Sequence, residues 1–329
     1  MLGQSKNNRV VGVGSSLPKM CVGNQELVDR LAVMGVQTSD EWIKERTGIC
    51  QRYFVSDGED VLSLATEAAL NAVHFSGRHV VEDVDLIIVA TSTPDYIFPS
   101  VACLLQAKIG AKKAVAFDIQ AVCSGFVYAL AIADTMLSSG QYSRALVVGA
   151  ECFSRIMDWK DRGTCVLFGD GAGAVLLESG HSDGILRTLL RSDGSQSACL
   201  MTPGRLENGN VVGDPFLRMD GQAVFKLAVS CLTDISVEIL KQEQWDVDCL
   251  DYVIPHQANE RIMQALVKRL GLNASKMIST VDRYANTSAA SIPMALDFAV
   301  RDGRVKVGHK GLLLGVGGGF TWGAVLLSF

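Results

Sequence analysis

The sequence predicts an α/β fold built from two similar halves. Three observations carry that expectation. Short apolar runs alternate with helical patterns along the chain. Three of those runs recur in the same order later in it. The residues best suited to chemistry stand where a strand ends and a helix begins. Strands that alternate with helices point to sheets covered by helices.

Residues 9–13, 86–90, 114–119, 145–148 and 253–255 are short apolar runs and read as buried strands. Residues 61–73 and 222–240 read as helices. In the second of these, Val224, Ala228, Cys231, Ile235 and Ile239 recur at helical spacing and form a core face. Thr38, with Glu41 three residues on, reads as a capping box for the helix carrying Trp42 and Arg46. Residues 311–329 carry no charge and are long enough to span a bilayer. Their centre, Gly315-Val316-Gly317-Gly318-Gly319-Phe320, would break a helix. The stretch therefore reads as two buried strands, 312–314 and 322–327, joined by a glycine-rich turn.

The repeat gives the organisation. Asp85-Leu-Ile-Ile-Val-Ala90 is echoed by Asp251-Tyr-Val-Ile-Pro255, and Arg144-Ala-Leu-Val-Val-Gly149 by Lys310-Gly-Leu-Leu-Leu-Gly315. Gly173-Ala-Val-Leu-Leu177 recurs as Gly323-Ala-Val-Leu-Leu327. Each match alone is short; their shared order implies two α/β halves, residues 1–180 and 181–329, packed as one body without a linker. On this alignment Cys123 in the first half corresponds to Asn286 in the second, which places a site between the halves.

Composition narrows the function classes. With 48% hydrophobic and 20% charged residues, the chain of 329 residues can bury a large core. A net charge of −5 argues against nucleic acid, where basic surface dominates affinity. The nine cysteines include no C-x-x-C pair, so neither a zinc pattern nor a disulfide framework is expected. The polar start, lacking an apolar signal segment, suggests a reducing cytoplasm.

Cys123 is the most informative residue. It lies in Gln120-Ala121-Val122-Cys123-Ser124-Gly125, between the strand Val115-Ala116-Phe117-Asp118-Ile119 and a helix over residues 124–138. A helix N-terminus favours thiolate over thiol, and small neighbours leave room for a substrate carbonyl. Two downstream segments complete a site. In Leu250 to Asn259 an apolar strand runs to Pro255, His256 follows at once, and a helix continues to about Leu270. Tyr284-Ala285-Asn286-Thr287-Ser288-Ala289-Ala290-Ser291 opens another helix, over residues 288–300. Ligands in open α/β sheets sit at the carboxyl ends of strands.

Here the chain resembles the β-ketoacyl-acyl-carrier-protein synthase III family of the thiolase superfamily. The resemblance rests on Thr38-Ser-Asp-Glu-Trp-Ile43, Arg46-Thr-Gly-Ile49, Phe98-Pro-Ser100, Ala121 to Phe126, Asp161-Arg-Gly163, Phe168-Gly-Asp-Gly-Ala-Gly173, Pro255 to Asn259, Asn286 to Ile292 and Gly317-Gly-Gly-Phe-Thr-Trp-Gly323. Gly169-Asp-Gly-Ala-Gly173 alone could pass for a nucleotide loop; the combination spans nearly the whole chain.

The resemblance implies a thiolase-like fold with five layers, αβαβα. It implies an acyltransferase that condenses an acyl-coenzyme A starter, acetyl-coenzyme A in the first instance, with malonyl-acyl-carrier protein. Carbon dioxide is lost, a 3-oxoacyl-carrier protein forms, and fatty-acid synthesis begins. No cofactor or metal is implied, since the coenzyme A thioester is a substrate. Cys123 would be acylated, while His256 and Asn286 donate hydrogen bonds to the thioester oxygen during decarboxylation. Backbone N–H groups of Cys123 and Gly318 would hold the oxyanion at the acyl-cysteine. Trp42, Arg46, Arg162 and Asn259 match coenzyme A contacts. Phe98 matches a residue that reaches from a partner subunit into the acyl pocket, which implies a homodimer. Arg261, Lys268 and Arg269 give the helix after His256 a basic character that would dock an acidic carrier protein. The elongating relatives have a second histidine where this chain has Asn286. Degradative thiolases have a cysteine before the last glycines, where this chain has Gly315 and Val316. One departure stands out: Ala285 occupies a position that is usually glycine, and a positive φ there would strain the loop.

Other readings remain. A secondary-metabolite synthase with the same Cys-His-Asn set would use another donor or acceptor. A serine hydrolase built on Ser124 lacks the G-x-S-x-G pattern. A non-catalytic acyl-binding protein has no need of all three side chains.

Overall fold

The computed structural model describes residues 7–77 and 81–329, so most of the polar start lies outside the described residues. The first half runs β1 (Asn7–Ser16), β2 (Met20–Gly23), α1 (Asn24–Val33), α2 (Asp40–Thr47), β3 (Gln51–Phe54), α3 (Val61–Phe75), β4 (Leu86–Ala90) and α4 (Val101–Ile109). It continues with β5 (Val115–Ile119), α5 (Gly125–Ser138), β6 (Arg144–Cys152), α6 (Arg162–Cys165) and β7 (Asp170–His181). The second half opens with β8 (Ile185–Ser192) and the short strands β9 (Leu200–Met201), β10 (Arg205–Glu207), β11 (Asn210–Val212) and β12 (Arg218–Met219). Then come α7 (Gly221–Gln242), β13 (Tyr252–Pro255), α8 (Glu260–Leu270), α9 (Val281–Tyr284), α10 (Ser291–Arg301), β14 (Lys310–Gly317) and β15 (Thr321–Ser328).

The two main sheets share one plan. The first is ordered β1-β7-β6-β4-β5 and the second β8-β15-β14-β13. In both, the first two pairings are antiparallel and the next is parallel. The three recurring sequence segments fall on matching strands: β4 with β13, β6 with β14, β7 with β15. The counterpart of β5 has shrunk to an isolated parallel bridge between Val253 and Met277.

Five layers follow from where the apolar faces go. α3 and α4 cover the outer face of the first sheet, through Leu64, Ala68, Ala72, Ala102 and Leu105. α7 and α8 cover the outer face of the second, through Leu232, Ile235, Ile239, Ile262 and Leu266. Between the sheets lie α5 and α10, sharing one core with strands of both. A helix between two sheets must be apolar nearly all round. α5 meets this with Phe126, Val127, Leu130, Ala133 and Leu137, and α10 with Ile292, Leu296 and Ala299. α8 is one-sided, with Ile262 and Leu266 buried and Arg261, Lys268 and Arg269 exposed.

The central helices begin alike, and this positions the site. A 3-10 turn, Val122–Ser124, precedes α5, and another, Ser288–Ala290, precedes α10. Both turns lie at the seam between the sheets. The backbones approach so closely there that a Cβ on Gly149 would stand 2.3 Å from the Ala289 carbonyl oxygen. The glycine-rich stretch 311–329 is, as expected, the two buried strands β14 and β15. No helix among the described residues is long and apolar enough to cross a membrane.

One local expectation is corrected. α2 is capped by Ser39, not Thr38: Ser39 Oγ accepts the Trp42 N–H at 3.1 Å. The helix starts one residue later than the Thr38–Glu41 spacing implies, so Trp42, not Glu41, is the third residue after the cap. Thr38 Oγ1 is buried with no hydrogen-bond partner.

Candidate active site

Cys123 stands at the seam because its turn links β5 to α5 and is roofed by the end of β14. A Cβ on Gly317 would lie 2.7 Å from the Cys123 nitrogen, so only glycine lets β14 pass. The next hydroxyl, Ser124, is tied to the Ala121 carbonyl and to Thr321 Oγ1, both at 2.8 Å. Cys123 is 3% exposed. Burial pushes its thiol up to about 12; the Ser288 side chain acts to lower it and the Glu151 charge to raise it. The expected preference for thiolate at the helix N-terminus is therefore outweighed by desolvation in the resting site.

His256 follows directly from β13. Its backbone N–H donates to the Leu314 carbonyl at 2.7 Å, extending the pairing with β14 by one residue. The ring Nδ1 lies 2.7 Å from Ser291 Oγ, at the first residue of α10. The same oxygen accepts the Gln257 N–H at 3.3 Å. Gln257 is in turn held by Pro255, Ile278 and Thr280. Burial pushes the imidazole down to about 3, so the ring is neutral at ordinary pH.

Asn286 is fixed by its backbone. Its N–H donates to Leu167 O and its carbonyl accepts the Gly169 N–H, both at 3.0 Å, in a parallel bridge across Phe168. The side-chain Oδ1 accepts the Ser288 N–H at 2.9 Å. Ala285, just before it, has φ 58 and ψ −158. That region is essentially glycine-only, so alanine carries strain of about 1–3 kcal/mol.

Cys123, His256 and Asn286 line one largely apolar cavity, walled by Phe168, Leu200 and Phe320. Leu167, Gly221 and Asn259 border both this cavity and an outer cleft, so the two adjoin. Trp42, Arg46, Phe225, Lys226 and Arg261 edge the cleft. The Trp42 ring is flanked by two guanidiniums, Arg46 at 4.9 Å and Arg162 at 4.4 Å from its centroid. Arg162 is anchored to the Gln37 carbonyl at 2.8 Å, and Asn259 caps α8 through Ile262 N–H at 3.0 Å.

Other expected residues stand apart. Gly317 borders the cavity and Gly318 is the next residue along, where a Cβ would meet the Leu200 carbonyl and the Val122 side chain. Phe98 is 84% exposed beside Tyr96 and Ile97 and lies outside this chain's cavity. Of the basic residues on α8, Arg261 edges the cleft, while Arg269 borders a separate groove beside Trp245. Sequence reasoning missed Ser291, Ser288, Glu151 and Lys226. The two serines sit in the same small polar run as Asn286. Glu151, near the end of an otherwise apolar strand, is the signal that could have found the third. Among the described residues no cluster of three or more His, Cys, Asp or Glu could hold a metal ion.

Known proteins resemble the chain over nearly its whole length. The family description 3-oxoacyl-[acyl-carrier-protein (ACP)] synthase III matches residues 117–194, and its C-terminal counterpart matches residues 240–329. The 3-oxoacyl-[acyl-carrier-protein] synthase III of Aquifex aeolicus is 43% identical, over 98% of this chain and 100% of that one, with a TM-score of 0.91. The corresponding Pseudomonas aeruginosa enzyme is 39% identical, over 98% of each chain, with a TM-score of 0.91. A priming β-ketosynthase of the R1128 polyketide pathway is 32% identical, over 100% of this chain and 98% of that one, also with a TM-score of 0.91.

The strained loop yields a test. Ala285→Gly should stabilise the protein by about 0.5–1 kcal/mol, the relief of strain less the entropy glycine adds to the unfolded chain. Chemical denaturation would read this as a higher midpoint at unchanged slope. A lower midpoint would mean the alanine is unstrained.

Proposed function

The chain belongs to the 3-oxoacyl-[acyl-carrier-protein] synthase III family of condensing acyltransferases. From that premise we propose that it joins an acyl-coenzyme A starter, acetyl-coenzyme A in the first instance, to malonyl-acyl-carrier protein through an acyl-Cys123 intermediate. The observation that carries this reading is the convergence of Cys123, His256 and Asn286 on one cavity that adjoins an outer cleft.

In the first half-reaction the Cys123 sulfur attacks the thioester carbonyl. The carbon–sulfur bond to coenzyme A then breaks, and the acyl group stays on the enzyme. Backbone N–H groups of Cys123 and Gly318 take the oxyanion, a role to which Gly317 brings β14 close enough. In the second, the malonyl carbon–carboxylate bond breaks and charge moves onto the thioester oxygen. That oxygen needs neutral donors, since the site is too dry to hold an extra cation. His256 is neutral. Ser291, already accepting from Gln257, can give its hydroxyl proton to Nδ1, which leaves the ring proton on Nε2 for the substrate. Asn286, with Oδ1 occupied by Ser288 N–H, offers its amide NH₂. The enolate attacks the acyl carbonyl and releases Cys123.

The outer cleft fits a nucleotide carrier. Trp42, Arg46 and Arg162 together offer stacking surface and charge for an adenine and its phosphates, and Asn259 borders both the cleft and the cavity. Lys226 and Arg261 give the rim a basic face for an acidic carrier protein, with Lys268 and Arg269 further along α8. Phe98, exposed with Tyr96 and Ile97, suits a homodimer in which it enters the partner's acyl pocket. The division into residues 1–180, carrying the nucleophile, and 181–329, carrying His256 and Asn286, belongs to the same reading. So do a cytoplasmic setting and the lack of a resident cofactor. The likeness to the polyketide priming β-ketosynthase keeps a second reading open, in which the same machinery primes a secondary metabolite from another donor. Acylation of the purified enzyme by a series of acyl-coenzyme A donors separates the two.

His256→Ala and Asn286→Ala should each slow carbon dioxide release from malonyl-carrier protein by about a hundred- to a thousandfold. Both should still accept an acetyl group on Cys123. Loss of acetylation at the same factor would remove them from the decarboxylation step. Arg261→Glu should raise the KM for malonyl-carrier protein by about tenfold and leave acetylation by acetyl-coenzyme A unchanged. An equal effect on both half-reactions would count against carrier docking at Arg261.

A further inference from the structure

A buried carboxyl lies behind the nucleophile. Glu151 is fully buried near the end of β6. Its Oε2 accepts from Thr93 Oγ1 at 2.6 Å, Ser92 N–H at 3.0 Å and Thr91 Oγ1 at 3.4 Å. Its Oε1 accepts from Ser288 Oγ at 3.1 Å. The turn that carries Ser288 packs against the turn that carries Cys123, and the Ser288 side chain acts on the Cys123 sulfur. Sulfur, hydroxyl and carboxylate thus follow one another from the reacting atom into the buried core, and neither Ser288 nor Glu151 lines the cavity.

A structural carboxylate would be expected to meet a cation or several backbone N–H groups. Here every side-chain partner is a neutral hydroxyl, and one of them touches the nucleophile. The titratable groups facing Glu151 are Cys123, across Ser288, and Cys152, the next residue of β6. Asp170, Asp95 and Arg155 act on Cys152 from β7, the loop after β4 and the turn after β6. Burial raises the Glu151 carboxyl to about 7, within reach of ordinary pH.

We propose that Glu151 stores the Cys123 proton during acyl transfer, passed through the Ser288 hydroxyl. A dry site resists any gain of net charge. Moving the proton from Cys123 to Glu151 creates the thiolate with no change in the site's total charge. In the first half-reaction the Cys123 S–H bond breaks, Ser288 takes that proton and gives its own to Glu151 Oε1. The thiolate forms its bond to the acyl carbon, and coenzyme A leaves as a thiolate that takes a proton from water. Glu151 stays neutral in the acyl-enzyme, so the malonyl carboxylate enters a site with no second anion beneath it. After condensation Cys123 leaves as a thiolate and recovers its proton from Glu151 along the same line. One proton from water is consumed per turnover, as the overall reaction requires.

This inference rests on Cys123 as the acylated residue, and the experiment separates the two. Single-turnover acetylation by acetyl-coenzyme A is followed by intact mass from pH 5.5 to 9.5 in wild type, Glu151→Gln, Glu151→Asp and Ser288→Ala. Wild type should rise as Glu151 ionises, near pH 7, and then level off. Glu151→Gln and Ser288→Ala should be at least tenfold slower at pH 7 and keep rising through pH 9, because the proton must leave to solvent. Glu151→Asp should recover the levelling. A Glu151→Gln profile identical to wild type in rate and shape overturns the proposal. So does a Ser288→Ala enzyme that is slow but still levels off, which would reduce the serine to positioning. If Glu151→Gln does not fold, the Ser288→Ala profile decides alone. Absence of any adduct on wild type would instead overturn the reading of Cys123.

Discussion

Everything in this structure depends on bringing three chain segments together at the seam of two sheets with no side chain between their backbones. The turn before α5, the turn before α10 and the end of β14 meet there. Gly317 lets β14 pass the turn before α5, and Gly149 lets the neighbouring strand β6 pass the turn before α10, contacts that a single methyl group would forbid. The two-fold plan makes the meeting possible. Each half delivers a matching turn, Val122–Ser124 and Ser288–Ala290, and the helices that follow share one core between the sheets. Cys123 comes from one half, and the His256 imidazole and the Asn286 amide from the other.

The same closeness creates the chemical problem. A site that excludes water strengthens hydrogen bonds to a developing oxyanion but penalises every charge it holds. The resting groups conform. The thiol is pushed up, the imidazole down, and the buried carboxyl up, each by desolvation. Neutral donors then serve better than cations, because they gain strength when charge appears on substrate and cost little when it is absent. The charged residues are kept at the outer cleft, where Arg46, Lys226 and Arg261 stand in solvent around the entrance.

Much of this was legible in the sequence, for identifiable reasons. Cys123 and His256 stand out because each follows a strand and precedes a helix, a purely local pattern; Asn286 instead follows the short helix α9 and is marked only by the small polar run that leads into α10. The halves are visible because matching strands kept matching apolar pentamers. The second sheet's missing strand was not visible, since a single bridge at Met277 leaves no periodic trace. The link between Ser288 and Glu151 joins residues 137 apart, and nothing local marks it. The start of α2 was misplaced by one residue because Thr38 and Ser39 are both competent caps, and only the backbone decides between them. The thiol's state was misjudged for a related reason. The helix N-terminus can be read from sequence, whereas the depth of burial that outweighs it belongs to the packing.

The most direct measurement is intact-protein mass spectrometry of the purified enzyme, first with acetyl-coenzyme A and then with malonyl-acyl-carrier protein. The account predicts one acetyl adduct, mapped to Cys123, absent from Cys123→Ala, and discharged on adding malonyl-carrier protein as acetoacetyl-carrier protein forms. An adduct on another residue, or one that malonyl-carrier protein leaves in place, would contradict it.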